Sequence, residues 1–120
     1  MPQSFKDLVA WQKAMDMADA IYDATADFPQ REMYRLADQM RRAAVSIPSN
    51  IAEGQARFSN RDFRHFLRDA RGSLAELETQ ILISERRHYL TPQTTSALVQ
   101  RVVELGRILN GLMSSLKVED

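Results

Sequence analysis

Apolar residues recur at intervals of three and four along most of the chain, the spacing that places them on one face of an α-helix. The first such segment runs from about Phe5 to Phe28, where Pro29 marks a turn. Ser4, with Asp7 three residues later, resembles a capping box at its start. The predicted core stripe of this helix consists of Leu8, Trp11, Met15, Ala18, Tyr22 and Thr25.

The second segment runs from about Arg31 to Glu53, and Gly54 is its predicted C-cap. Its stripe consists of Leu36, Met40, Ala43, Ile47 and Ile51. Ile47 and Ile51 keep the helical phase across Pro48, so the pattern favours one helix with a kink at the proline over two helices.

A proline inside a helix costs about 3 kcal/mol, since it removes the hydrogen bond to the carbonyl four residues back and its ring clashes there. Here that carbonyl belongs to Ala44. The alternative is a new helix that begins after Pro48, with Asn50 as N-cap and Glu53 at the third helical position.

The third and fourth segments have clear start signals. Ser59 with Asp62 caps the third, whose stripe consists of Phe63, Leu67, Ala70, Leu74, Leu77 and Ile81. Thr91 followed by Pro92 opens the fourth, whose stripe consists of Leu98, Val102, Leu105, Leu109, Leu112 and Leu116. No stretch has the alternation of a strand, so four helices with short turns predict an all-α, up-down four-helix bundle.

Several helices carry apolar residues outside their main stripe: Val9, Met17 and Ile21 in the first, and Val99, Val103, Ile108 and Met113 in the fourth. Two interpretations remain open. The surplus indicates a second buried face, hence self-association, or it widens the stripe that one bundle buries.

The chain has 120 residues, which predicts one domain over residues 1–120. It has no cysteine, which excludes disulfides, thiolate zinc sites and a cysteine nucleophile, and which is typical of a reducing compartment. The N-terminal stretch lacks the apolar core of a signal peptide, and charged residues interrupt the most apolar segment. We therefore expect a cytoplasmic protein with no membrane span.

The net charge is zero, but the charges are unevenly distributed. Residues 1–30 carry a net charge of −3, residues 31–72 carry +4, and residues 73–120 carry −1. Apart from His65, every base in the middle region is an arginine, the side chain suited to bidentate contact with phosphate or carboxylate.

Five arginines with spacings of 4, 3, 4 and 3 form the arginine row: Arg57, Arg61, Arg64, Arg68 and Arg71. The last four lie on one face of the third helix, which makes the row the candidate phosphate-binding surface. The alternative is a solvated face whose arginines pair with Asp62, Asp69 or acids of a neighbouring subunit. No aromatic residue alternates with the row on that face, so stacking of single-stranded bases is disfavoured.

A second polar cluster follows the proline helix: Arg42, Ser46, Asn50, Glu53 and Arg57. One interpretation is a binding site, or a catalytic carboxylate at Glu53. The sequence favours a structural one, in which Ser46, Ser49 or Asn50 satisfies the backbone groups freed by Pro48 and Glu53 pairs with an arginine.

Metal and enzyme chemistry find little support. Asp62-x-x-His65 and Glu85-x-x-His88 both have the spacing of a di-iron ligand pair. Both lie on the predicted third helix, however, about 35 Å apart at the helical rise, so they cannot share a metal within one subunit. No phosphate-binding glycine loop and no glycine-flanked nucleophilic serine occurs. We expect no enzyme, metal or cofactor.

Four stretches occur in order: FKDLVAWQKA, IYDATADFP, LADQMRRAAVSIPSNIAEGQAR and FLRDARGSLAELETQ. Together they resemble the four-helix-bundle proteins of the intervening-sequence family, first described as reading frames within intervening sequences of bacterial large-subunit ribosomal RNA genes. The resemblance covers nearly the whole chain. Positions that match the family's central motif are Arg41, Arg42, Ser46, Pro48, Asn50, Ala52, Glu53 and Gly54.

The resemblance implies a four-helix bundle assembled as a barrel-like homopentamer, with an unknown or accessory role and no enzymatic activity. Relatives in diversity-generating retroelements bind nucleic acid through a basic surface and contact a reverse transcriptase. Two hypotheses follow for this chain. It is a homo-oligomeric bundle that binds RNA or DNA through the arginine row, or it is a protein-binding scaffold whose arginines form salt bridges between subunits.

Overall fold

A computed structural model describes residues 4–118, so residues 1–3 and 119–120 of the predicted domain lie outside it. In this part of the chain four long helices account for most residues and no strand occurs. They are α1 (Val9–Thr25), α2 (Leu36–Ala56), α3 (Asn60–Arg86) and α4 (Pro92–Ser115). Each helix packs against the next, and α4 closes against α1, in a body of 48 × 24 × 24 Å. The predicted all-α four-helix bundle is confirmed.

The core runs the length of the bundle between the four helices. The stripe predicted for α3 is buried throughout, and those of α2 and α4 are buried except at their ends, where Leu36, Leu112 and Leu116 are half-buried at the rim. The heptad-like spacing therefore identifies the inward faces of these three helices.

The stripe predicted for α1 is confirmed at Ala18 and Thr25 and is wrong at Met15 and Tyr22. Met15 and Tyr22 are 40% and 48% exposed. The buried face consists of Ala10, Ala14, Met17, Ala18, Ile21 and Thr25. Both stripes have helical spacing, so periodicity does not separate them. The observed core face has three alanines, and small side chains let a helix approach its neighbours closely.

Helix α1 is shorter than predicted at both ends. Ser4 caps only a 3₁₀ turn, Phe5–Asp7, by accepting a hydrogen bond from the Lys6 N–H. At the other end the chain leaves the helix after Thr25, and Phe28 turns into the core. A residue that precedes proline disfavours helical backbone, which explains why α1 does not reach Phe28.

Helix α2 is continuous through Pro48, as the unbroken stripe predicts. It begins five residues later than predicted, after a 3₁₀ turn over Gln30–Glu32 and a non-helical Arg35. It also extends past Gly54 to Ala56, so the prediction of Gly54 as C-cap is wrong. Asn50 lies inside the helix, which excludes the alternative of a new helix capped by that residue.

The predicted starts of α3 and α4 are confirmed. The Ser59 hydroxyl accepts from the Asp62 N–H, and the Thr91 hydroxyl accepts from the Thr94 N–H, both at 3.1 Å. The far end of α3 differs from the prediction, because His88 lies beyond the helix in the left-handed region, with φ 64°. The N–H groups after the helix satisfy its last carbonyls there, which explains the early stop.

Candidate nucleic-acid interface

The arginine row lies where α3 begins and continues along one face of that helix. Arg57 follows the last residue of α2, and Arg61, Arg64, Arg68 and Arg71 belong to α3. Arg57, Arg61 and Arg68 are exposed, whereas Arg64 and Arg71 are half-buried on the flank of the row nearer the core. The row therefore presents a strip of guanidinium groups at the bundle surface, about 15 Å long from Arg61 to Arg71 at the helical rise.

The two ends of the row have partners within the chain. The Arg57 guanidinium lies 3.3 Å from a Glu53 carboxylate oxygen and 5.1 Å from the centre of the Phe66 ring. At the other end Arg71 donates to the Asn110 side-chain oxygen of α4. These contacts fix both ends of the strip to the bundle.

Arg64 and Arg68, in the middle of the row, differ from the two ends in having no such partners in the described chain. Within residues 4–118, no hydrogen bond or ion pair holds Arg64 or Arg68, and the Arg64 Nε is buried without an acceptor. Asp69, which the alternative interpretation pairs with an arginine, instead has its carboxylate 3.7 Å from His65 Nε2. The exposed Arg68 guanidinium, which lacks an acceptor in the described chain, is therefore available to bind an anion, whereas the Nε of Arg64 is closed to solvent.

The polar cluster around Pro48 makes contacts within the bundle. Ser49 Oγ donates to the Val45 carbonyl, and Asn50 Nδ2 donates to the Ser46 carbonyl, both at 2.9 Å. Neither bond goes to the carbonyl of Ala44, which Pro48 leaves without its usual donor. The side chains therefore reinforce the turns next to the proline, but the expected satisfaction of the freed Ala44 carbonyl by Ser46, Ser49 or Asn50 is not seen in the described chain.

The remaining members of this cluster bind neighbouring side chains. Ser46 hydrogen-bonds Ser73 of α3, and Glu53 pairs with Arg57. Arg42 pairs with Asp38 one turn away. Each of these contacts connects two helices or adjacent turns of the described chain.

Arg41 links α1 to α2. Its Nε donates to Thr25 Oγ1 at 2.9 Å, and its guanidinium lies 5.0 Å from the centre of the Tyr22 ring. Tyr22 is thereby held at one end of an apolar groove of about 380 Å³ between α1 and α2. This α1–α2 groove is lined by Trp11, Met15, Ala18, Asp19, Tyr22, Val45, Pro48, Ser49 and Ala52.

One residue of the site escaped the sequence analysis. Phe58, in the turn between α2 and α3, is fully exposed and lies between Arg57 and Arg61 in the sequence. The sequence contains a signal that Phe58 is exposed, because this residue lies outside the stripes of both helices and directly before the predicted N-cap Ser59. The arginine spacing draws attention to the helix face, whereas this ring lies in the turn before it.

No three histidine, aspartate or glutamate side chains within residues 4–118 come together in a way that could hold a metal ion. None of the helices in this part of the chain has a stretch that is long and apolar enough to cross a membrane.

Comparison with known proteins gives a family and a fold. The family model described as 23S rRNA-intervening sequence protein matches residues 6–111. A crystal structure of a protein of unknown function from the S23 ribosomal protein family of Bacteroides thetaiotaomicron superposes with a TM-score of 0.83. That alignment covers 92% of this chain and 99% of the other at 22% identity, which supports the fold alone. A search of curated proteins finds no match.

Proposed function

The chain belongs to the family of 23S rRNA-intervening sequence proteins, and from that premise we propose that it is a non-enzymatic, homo-oligomeric accessory protein that binds nucleic acid through the arginine row. One observation carries the proposal: Arg64 and Arg68 lie on one face of α3 without partners in the described chain. Arginines fixed on a rigid helix and lacking carboxylate partners are suited to phosphate oxygens.

Self-association is the second part of the proposal. The α1–α2 groove exposes Met15, Tyr22 and Val45, and Leu82 and Ile83 of α3 are each 44% exposed. Contact between such faces on different copies would bury these exposed apolar side chains. A closed ring of copies, five by the family resemblance, repeats the arginine row around the assembly, so that weak phosphate contacts add up.

The setting of this activity is proposed by analogy. The lack of cysteine and the family's link to ribosomal RNA genes favour the cytoplasm. A reverse transcriptase is proposed as a protein partner solely from the resemblance to the retroelement relatives.

The second candidate function is a protein-binding scaffold. The zero net charge and the contacts at both ends of the row, Arg57 with Glu53 and Arg71 with Asn110, favour it. In that case Arg64 and Arg68 meet acidic residues of a neighbouring subunit, and removing them weakens the assembly instead of nucleic-acid binding.

Replacement of Arg61, Arg64 and Arg68 by alanine is expected to lower the affinity for RNA and for duplex DNA by about tenfold or more at moderate salt. The measurement is fluorescence anisotropy with a labelled RNA hairpin and a DNA duplex of equal length. Light scattering checks that the mass of the assembly is unchanged.

The matched control is the triple alanine variant of Arg86, Arg87 and Arg101, which are exposed and lie outside the row. It removes the same number of charges, so an equal loss of affinity in both variants would show a general charge effect and refute a defined surface. A fall in mass of the row variant alone would instead support the scaffold.

A further inference from the structure

We propose that the Phe58 ring is a stacking platform for an unpaired base, so that the protein binds single-stranded nucleic acid in preference to a duplex. The inference rests on the proposed function and names the class of nucleic acid that the same surface recognises. It reverses the expectation from sequence that base stacking is disfavoured, because the aromatic ring lies in the turn before α3 and not on the helix face.

The exposure of Phe58 distinguishes it from the other four phenylalanines. Phe28 and Phe63 are buried, Phe5 packs edge-on against Trp11, and Phe66 lies beneath the Arg57 guanidinium. Only Phe58 has its whole side chain in solvent. Packing within the bundle therefore does not account for a large apolar ring at this position.

The surroundings of the ring are polar and basic. An open depression of about 600 Å³ beside the ring is lined by Phe58, Ser59, Asn60, Arg61, Lys117 and Val118. The Asn60 side-chain amide donates to the Lys117 carbonyl at 2.8 Å, which holds the segment that follows α4 against the start of α3. Arg61 and Lys117 are both exposed, so the one aromatic ring is flanked by cationic side chains.

This combination matches single-stranded nucleic acid better than a protein surface. Protein hot spots place an aromatic residue at the centre of an apolar, desolvated patch, whereas the large apolar residues of the α1–α2 groove lie on another face. Proteins that bind single strands place aromatic rings for the bases beside a cationic path for the backbone. In a duplex the bases are stacked and paired, so a ring in a surface turn cannot reach their faces.

The arginines along α3 form the cationic path for the backbone. Phe58 lies two residues before the start of α3, and the unpartnered Arg64 and Arg68 follow in its second and third turns. A single-stranded nucleic acid whose phosphates contact these arginines therefore reaches the turn at the end of the row. There an unpaired base meets the Phe58 ring.

The test compares Phe58→Ala, Phe58→Leu and Phe58→Trp with the wild type. The probes are a labelled 12-nucleotide oligouridine and a 12-base-pair DNA duplex, measured by fluorescence anisotropy. We expect Phe58→Ala and Phe58→Leu to lose about tenfold in affinity for the single strand and Phe58→Trp to retain it, since stacking needs an aromatic face. Affinity for the duplex should change less than about twofold, because its bases are not available.

The control variant is Tyr34→Ala, since Tyr34 is also highly exposed but lies in the connection between α1 and α2, at the other end of the bundle. In addition, the fluorescence of Phe58→Trp should be quenched by oligouridine beyond any change seen for the native Trp11 in the wild type. Light scattering on every variant monitors the assembly.

The outcomes separate this inference from the proposed function. If the wild type binds through the row but Phe58→Ala binds the single strand equally well, the stacking platform is refuted and the proposed function stands. An equal loss for both probes, or a fall in mass of Phe58→Ala, also refutes it, the latter in favour of a contact between subunits. If the wild type binds neither probe, both proposals fail.

Discussion

Replacing Gly54 by alanine is expected to lower the free energy of unfolding by about 2 kcal/mol, even though alanine is the better helix former. Gly54 is buried where α2 crosses α3. A β-carbon built on it would lie 2.7 Å from Phe66 Cβ and 3.0 Å from Phe63 Cδ1. The first of these contacts involves an atom fixed to the α3 backbone, so relief requires the two helices to move apart.

The matched control is Gly72→Ala, because Gly72 lies on the exposed side of α3 and an added β-carbon there meets no atom within 4 Å. That substitution should raise the free energy of unfolding by up to about 1 kcal/mol through helix propensity alone. Urea unfolding followed by circular dichroism measures both variants. A stabilised Gly54→Ala would contradict the close contact between α2 and α3.

A charge placed in the α1–α2 groove is expected to break the assembly into smaller species. Met15 and Val45 line opposite walls of the groove and are 40% and 43% exposed, so glutamate at either position can be solvated in a free protomer. In an interface the same carboxylate would be buried without a partner, at a cost of several kcal/mol. Light scattering coupled to size exclusion should therefore show a lower mass for Met15→Glu and for Val45→Glu.

The control for the groove is Val9→Glu, which adds the same charge to an exposed position of α1 outside it. This variant should keep the wild-type mass. Circular dichroism should show equal helicity in all the variants, which separates dissociation from unfolding. An unchanged mass for both groove variants would show that this face is not a contact between copies.

The sequence predicts the fold well where one physical cause dominates. Ser59 and Thr91 cap α3 and α4 because their hydroxyls reach the third N–H of the helix, and such local chemistry is readable from a few residues. The face of α1 could be predicted only in part, at Ala18 and Thr25, since neighbouring stripes of one helix have the same period. Gly54 shows a related limit. Its close approach to Phe63 and Phe66 depends on how two helices cross, which no local pattern encodes.

The candidate site likewise has features that the sequence predicts and features that it does not. The spacing of the arginines predicts that four of them share a face of α3. Which of them remain without partners depends on residues far away in the sequence, such as Asn110, which binds Arg71. The exposure of Phe58 is likewise a property of the packed bundle, because the same residue type is buried at Phe28 and Phe63.

The most direct test of nucleic-acid binding by the arginine row is the salt dependence of wild-type affinity for single-stranded RNA. For single strands, each phosphate neutralised contributes about −0.7 to the slope of log affinity against log salt concentration. Three arginines of one protomer predict a slope of about −2, and a ring that repeats the row predicts a steeper one. A slope near zero, or no binding at low salt, would contradict the account.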